Sequence, residues 1–91
     1  MKVIKIIVLE TKQILISEIE EVTSELGEPD CKLIRPFLVK HNDLNPQSKY
    51  LEPFLSGYTS QKDMMMSSDK ILTLVEPTSE LLEKYENLVK E

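Results

Sequence analysis

Few side chains in this sequence could do metal or nucleophile chemistry. His41 and Asp43 stand two positions apart and could supply two metal ligands, but the chain has no other histidine and no second ligand cluster. We therefore expect His41 to be an ordinary loop histidine. Cys31 is the only cysteine, and since no base lies near it in the chain, we expect it to pack as a small apolar residue.

Catalytic motifs are missing from the sequence. It holds no glycine-rich phosphate loop, no GxSxG nucleophile elbow and no HExxH pair. Its 16 acidic residues could supply a general acid and a general base only where burial separates their pKa values, and acids on a solvated face do not do so. We therefore expect no enzymatic activity, no metal and no cofactor.

The elements that position these residues belong to one small domain, because 91 residues leave room for no more. A domain of this size buries only about two-thirds of the surface that its unfolded chain exposes. Its stability is therefore expected to be modest, and oligomerisation would add to it.

The formal net charge is -5, and the acids are concentrated in two parts of the chain, 18–30 and 71–91. Six acids and no base lie between positions 18 and 30, namely Glu18, Glu20, Glu21, Glu25, Glu28 and Asp30. Such a surface argues against wrapping a nucleic-acid duplex, which needs a basic face and many phosphate contacts. A confined basic ring that symmetry repeats remains compatible with it.

The single cysteine excludes an intramolecular disulfide and fits a reducing compartment. The apolar N-terminal stretch is interrupted by Lys5 and lacks the cleavage site of a signal peptide. No run approaches the roughly 20 apolar residues that a membrane span needs. These features predict a cytoplasmic protein without a membrane partner.

The order of predicted elements is mostly strands, with one helix at the end. Strands are predicted at 3–9, 31–39, 50–58, 64–66 and 71–75. Pro36 restricts the second of these to a bulge or an edge position, and 40–49 is predicted to be a loop. Thr78 or Ser79 can cap a helix whose apolar stripe is formed by Leu81, Leu82, Tyr85, Leu88 and Val89.

The segment 13–27 allows two interpretations. Leu15, Ile19, Val22 and Leu26 follow the spacing of an amphipathic helix, and Gly27 stands where a helix C-cap would be. The continuous apolar run at 14–16 and a two-residue turn before it favour instead the second strand of a hairpin. The residues alone leave helix and strand open.

The stretch 64–77 has an apolar run, a polar break at 67–70, and a second apolar run that Pro77 ends. It predicts two short strands around a tight turn, with Met64 and Met66 on one face. Together with Ile-Ser-Glu-Ile-Glu-Glu-Val at 16–22, the run Ser-Asp-Lys-Ile-Leu-Thr-Leu-Val-Glu-Pro at 68–77 resembles a family of Sm-like proteins assigned a cyanophage origin and known from marine sequences.

The resemblance covers the whole chain and is carried by pattern more than by identity. The second Sm signature reads apolar, Arg-Gly-any-Asn, apolar; here Ser67 replaces the arginine, Ser68 the glycine and Lys70 the asparagine. Ser17 stands where the first signature has the glycine that lets the second strand bend. The turn that includes Lys32 lies near the place of the segment that pinches a base.

The resemblance implies a mainly β fold, namely a small, strongly bent, five-stranded antiparallel barrel over about 1–77 with a C-terminal α-helix over about 78–90. It thereby selects the strand interpretation for 13–22. It also implies a homo-oligomeric ring of five to seven subunits, in which the last strand of one subunit pairs with its neighbour. The residues expected at that interface are Ile71, Leu72, Thr73, Leu74 and Val75.

The implied activity is binding of single-stranded RNA, or less readily DNA, near the pore of the ring. The residues expected to contact nucleic acid are Ser67, Ser68, Lys70, Lys32 and Arg35. The competing hypothesis is a phage structural ring that scaffolds partner proteins through its acidic surface or its helix. The acidity and the missing arginine favour scaffolding, whereas the retained turn geometry favours nucleic acid.

Overall fold

The computed structural model describes residues 3–23, 25, 29–41, 44–45 and 48–90. These residues form six strands and one α-helix, with a single 3-10 turn before the last strand. The elements are β1 Ile4–Leu9, β2 Ile14–Glu21, β3 Cys31–His41, β4 Lys49–Pro53, β5 Asp63–Met66, the 3-10 turn Ser68–Lys70, β6 Ile71–Val75 and α1 Ser79–Val89. All strand pairs are antiparallel, in the order β4-β3-β2-β1-β6, with β5 also on β3. The prediction of a mainly β, antiparallel fold with a C-terminal helix is confirmed.

Strands β4 and β5 occupy one edge of β3, one after the other. Phe37 of β3 lies opposite Pro53 of β4, and Ile34 of β3 lies opposite Asp63 of β5. On β3, only two residues lie between its pairing with β5 and its pairing with β4. On the partner side, the nine residues 54–62 lie between β4 and β5. The structure thus has six strands where the resemblance implied five, because segment 54–62 separates β4 from β5.

The bend of the sheet lies at a bulge between β2 and β3. Ile16 lies opposite Phe37 and Glu18 opposite Ile34, so Ser17 alone faces the two residues Arg35 and Pro36. Arg35 has a φ of 52°, in the left-handed region that an arginine rarely adopts. An extra residue on one strand increases the local bend and twist. Pro36 was expected at a bulge or an edge position; the structure places it in the bulge, and Ser17 lies at the bend.

Both faces of the central strands are buried, which explains their continuous apolar runs. Two apolar clusters form, one from Ile7, Leu9, Leu15 and Leu33, the other from Ile6, Ile16 and Tyr85. Ile71 from β6 and Met66 from β5 both pack against the first cluster. The sheet is therefore curved enough for its two ends to contact one interior, as a bent barrel requires.

Helix α1 covers the other face and is fixed at the bulge. The Thr78 hydroxyl caps it by accepting the Leu81 N–H at 3.3 Å. Tyr85 is 2% exposed; its hydroxyl accepts the Glu18 N–H at 3.0 Å and donates to the Ile34 carbonyl at 2.8 Å. Burial raises the pKa of this phenol, which therefore stays protonated. The tyrosine thus satisfies backbone groups that the bulge leaves outside the ladder.

Two predicted boundaries change, and the segment left open between helix and strand is assigned. The segment 13–22 is strand β2, as the resemblance implied, while Leu26 and Gly27 lie outside the described residues. Strand β3 continues through His41, so the predicted loop at 40–49 is shorter, because pairing with β4 extends from Phe37 to His41. The strand predicted over 50–58 ends at Pro53, where the chain leaves β3 at the bulge and turns. No helix of the described chain is long and apolar enough to cross a membrane.

Candidate functional site

The 3-10 turn between β5 and β6 is anchored to the start of β3 by one carboxylate. Asp30 accepts both the Ser68 N–H and the Ser68 hydroxyl, each at 2.7 Å. These bonds, first from the N–H and then from the hydroxyl, hold the pKa of the Asp30 carboxyl below its ordinary value. Asp30 is therefore ionised at neutral pH, and both donors of Ser68 are already engaged within the chain. Ser67 precedes the turn and its carbonyl accepts the Lys70 N–H at 3.1 Å.

Lys70 is the cation of this turn. Its side chain is 68% exposed, and its ammonium lies 3.9 Å from the Glu10 carboxylate, a loose ion pair. The Lys70 carbonyl accepts the Glu10 N–H at 2.9 Å, which holds the turn between β1 and β2 against the 3-10 turn. The sequence predicts the two-residue turn before β2 but not its neighbour in space, because only the pairing of β1 with β6 brings the two turns together.

Lys32 joins this group, and Arg35 does not. Lys32 lies on β3, opposite Met65 of β5 and Glu20 of β2. The residue before it pairs with Met66, the last residue of β5 before the 3-10 turn. Arg35 lies at the bulge, three positions further along β3. Its guanidinium donates to the Val89 carbonyl at the end of α1, at 3.0 Å. The structure therefore brings Ser67, Ser68, Lys70 and Lys32 to one end of the barrel and places Arg35 under the helix.

The last strand has an uncovered edge. β6 pairs with β1 on one side, and no strand in the described part of the chain pairs with its other side. Leu72 is 60% exposed, and Leu74 and Val75 are also exposed. At the opposite end of the sheet, the outer edge of β4 and β5 carries the exposed side chains of Tyr50 and Met65. Single-chain folds rarely leave such edges bare.

The candidate ligands and nucleophiles remain dispersed. Cys31 is buried, as expected, and burial raises the pKa of its thiol. His41 ends β3 in an exposed position, while Asp43 lies outside the described residues. Within the described ranges, no three His, Cys, Asp or Glu side chains are grouped closely enough to hold a metal ion.

Comparison with known proteins gives one family match. A family model described as "Family of unknown function (DUF6561)" matches residues 2–90. The match therefore includes the barrel and the helix together. No curated protein matches the chain.

Proposed function

The chain belongs to the family of unknown function DUF6561, and we propose that it assembles into a homo-oligomeric ring of five to seven subunits that binds single-stranded nucleic acid. RNA is the preferred ligand and DNA the weaker one. The ring acts in the cytoplasm, that of the host cell if the protein comes from a phage. The observation that carries the proposal is the uncovered outer edge of β6.

Ring formation follows from two different edges on one subunit. The β6 edge lies at one end of the sheet, and the edge of β4 and β5 lies at the other. Pairing of the β6 edge of one copy with the other edge of a neighbouring copy is a heterologous contact. Such contacts form a closed ring when the rotation between neighbouring copies divides a full circle evenly. The exposed Leu72 and Leu74 would lose contact with water in such a pairing.

Nucleic-acid binding follows from repetition of the 3-10 turn. Each subunit would contribute Lys70 and Lys32. Symmetry would repeat these cations around the ring, where a single strand could follow them. The charge is modest, so binding should be weak and should involve few phosphates.

A second candidate, a ring that scaffolds proteins, is favoured by the carboxylates around the same turn. Asp30 is ionised beside Ser68, Asp69 belongs to the turn, and Glu10 lies near Lys70. These charges offset the cations and disfavour phosphate. The two candidates share the ring and differ only in what it binds.

A salt-titrated binding experiment separates the two candidates. Fluorescence anisotropy of labelled oligo-U and oligo-dT should show saturable binding at low salt, tighter for oligo-U, with a shallow dependence on salt concentration. Lys70→Ala should weaken binding severalfold, whereas Lys90→Ala, at the far end of α1, should not. Absence of binding at low salt, or equal affinity of Lys70→Ala and the parent protein, would leave the scaffolding ring as the function.

A further inference from the structure

A cleft of about 290 Å³ opens where segment 54–62 leaves the sheet. It lies between the bulge of β3, this segment and the last turn of α1. Its volume is just below the ~300–1,000 Å³ usual for small-molecule sites. The cleft exists because nine residues on one side face only two residues of β3 on the other. It lies away from the 3-10 turn and from β6.

Apolar side chains from four elements line the cleft. Phe37 comes from β3, Phe54 from the start of the segment, Met64 from β5 and Leu88 from α1. Phe37 also contacts Tyr85, with the two rings edge to face and their centroids 5.9 Å apart. This contact fixes the orientation of the Phe37 ring. Leu88 is half exposed although it belongs to the apolar stripe of the helix. The lining thus offers a preformed apolar surface to a ligand.

The charges at this cleft are of one sign, in a chain whose net charge is -5. Arg35 and Lys62 line it, and no acidic residue does so among the residues that the structure describes. The guanidinium of Arg35 donates to the Val89 carbonyl, and the carboxylate of neighbouring Asp63 accepts the Arg35 N–H at 3.2 Å. Within the described chain, Lys62 forms no ion pair. Its ammonium is thus available to an anionic ligand.

The backbone around the cleft adopts unusual conformations. Of four residues with positive φ in the described ranges, three belong to the cleft or to its segment, namely Arg35 at 52°, Leu55 at 61° and Gly57 at 89°. A side chain at Gly57 would meet nothing within 4 Å, so the backbone angle and not space favours glycine there. Unfavourable conformations of this kind concentrate at ligand sites.

We propose that the cleft binds a small carboxylate with an aromatic or branched aliphatic body. The carboxylate would pair with Lys62, and the apolar body would contact Phe37, Phe54, Met64 and Leu88. A carboxylate fits because Arg35 and Lys62 supply the charge that it needs, and a cleft of about 290 Å³ suits a body of this size. The proposal does not depend on the ring or on nucleic-acid binding.

Titration of the ¹⁵N-labelled full chain with 3-phenylpropionate tests the proposal by NMR. We expect saturable amide shifts confined to residues 35–37, 54–64 and 88. Two matched probes separate the contributions: 3-phenylpropanamide keeps the shape without the charge, and acetate keeps the charge without the body. Both should bind at least fivefold more weakly than 3-phenylpropionate. Equal binding of the amide, or shifts spread over the whole surface, would overturn the carboxylate assignment.

Two variants and a control locate the site. Lys62→Gln should weaken binding about fivefold, as expected for one partly exposed charge-assisted hydrogen bond, whereas Lys12→Gln at the β1–β2 turn should leave it unchanged. Ser60→Trp should fill the cleft and abolish binding while the remaining spectrum keeps its native dispersion. Unchanged affinity of Lys62→Gln, or equal loss in Lys12→Gln, would show that the ligand binds elsewhere and would overturn the proposal.

Discussion

At the scale of single residues, the bulge is stabilised by two hydroxyls. The Ile34 carbonyl accepts the Tyr85 hydroxyl at 2.8 Å and the Ser17 hydroxyl at 3.1 Å. Ser17 is fully buried, and no buried side-chain nitrogen or oxygen of the described residues lacks a partner. Because unpaired buried polar groups are costly, these bonds allow the sheet to bend without leaving its backbone groups unsatisfied.

Tyr85→Phe tests this function of the hydroxyl. The change keeps the ring but leaves the Glu18 N–H without its partner and removes one donor from the Ile34 carbonyl. We expect the free energy of unfolding to fall by about 1–3 kcal/mol in urea at fixed protein concentration. Tyr58→Phe, at a position that is 87% exposed, should change it by less than about 0.5 kcal/mol. Equal stability of the two variants would contradict the account of the bulge.

Asp30 supplies a pH-dependent bond at the 3-10 turn. Its pKa is lowered in the folded chain, so its charged form stabilises the fold above its ordinary pKa of 3.8, and this stabilisation is lost as pH falls through the lowered value. NMR titration of the carboxyl should give a pKa below 3.8 in the parent protein. Ser68→Ala should raise it only partly, because the backbone N–H makes the larger contribution. A carboxyl that titrates at its ordinary value would refute the anchoring of this turn.

Residue types predict part of this arrangement. Pro36 indicated the bulge, since proline cannot occupy an ordinary central position in a ladder. The bond between Asp30 and Ser68 spans 38 positions and depends on strand register, which no local pattern specifies. Arg35 was predicted as a contact to nucleic acid, but its partner could not be read from the sequence, because its bond to the Val89 carbonyl spans 54 positions and depends on how α1 packs on the sheet.

At the scale of elements, strand β2 explains why periodicity was ambiguous. Leu15 and Ile19 are four positions apart, a spacing that places two residues on one face of a helix and also on one face of a strand. The run at 14–16 resolves the ambiguity, because Leu15 contacts one apolar cluster and Ile16 the other. The two-sided burial is a tertiary effect, which a single amphipathic pattern does not anticipate.

The sequence predicts two strands here, at 50–58 and 64–66, but not that the first of them ends at Pro53. Pro53 and Gly57 indicate turns, but the same residues are also compatible with one irregular strand. What separates the two strands is the bulge on β3, a feature of the partner. The cleft that follows from the split, with Lys62 at its margin, was therefore missed as well.

The edge strand β6 gives a prediction at this scale. Leu72→Lys adds a charge to an edge that is expected to pair with another copy, and lysine at an edge opposes strand addition. We expect the variant to fold, because Leu72 is exposed, and to dissociate at protein concentrations where the parent remains assembled. Leu44→Lys, in the connection between β3 and β4, is the control and should assemble normally. An assembled Leu72→Lys variant would exclude β6 from the interface.

At the scale of the whole molecule, the fold is a bent antiparallel barrel with a helix on one face and two unlike edges. Its size limits the apolar core, and the edges offer the means to bury more surface by assembly. Charge limits the ligands: the 3-10 turn places Lys70 beside carboxylates, while Arg35 and Lys62 are the charged residues that line the cleft in the described part of the chain. Under the two proposals, stability, assembly and binding depend on different parts of a short chain: the core, the strand edges and the cleft.

Assembly into a ring determines the mass of the particle in solution. Light scattering coupled to gel filtration, over a range of protein concentrations and with or without oligo-U, measures that mass independently of shape. The account predicts one species of five to seven times the 10.5 kDa of a single chain. A monomer that persists at every concentration would contradict it.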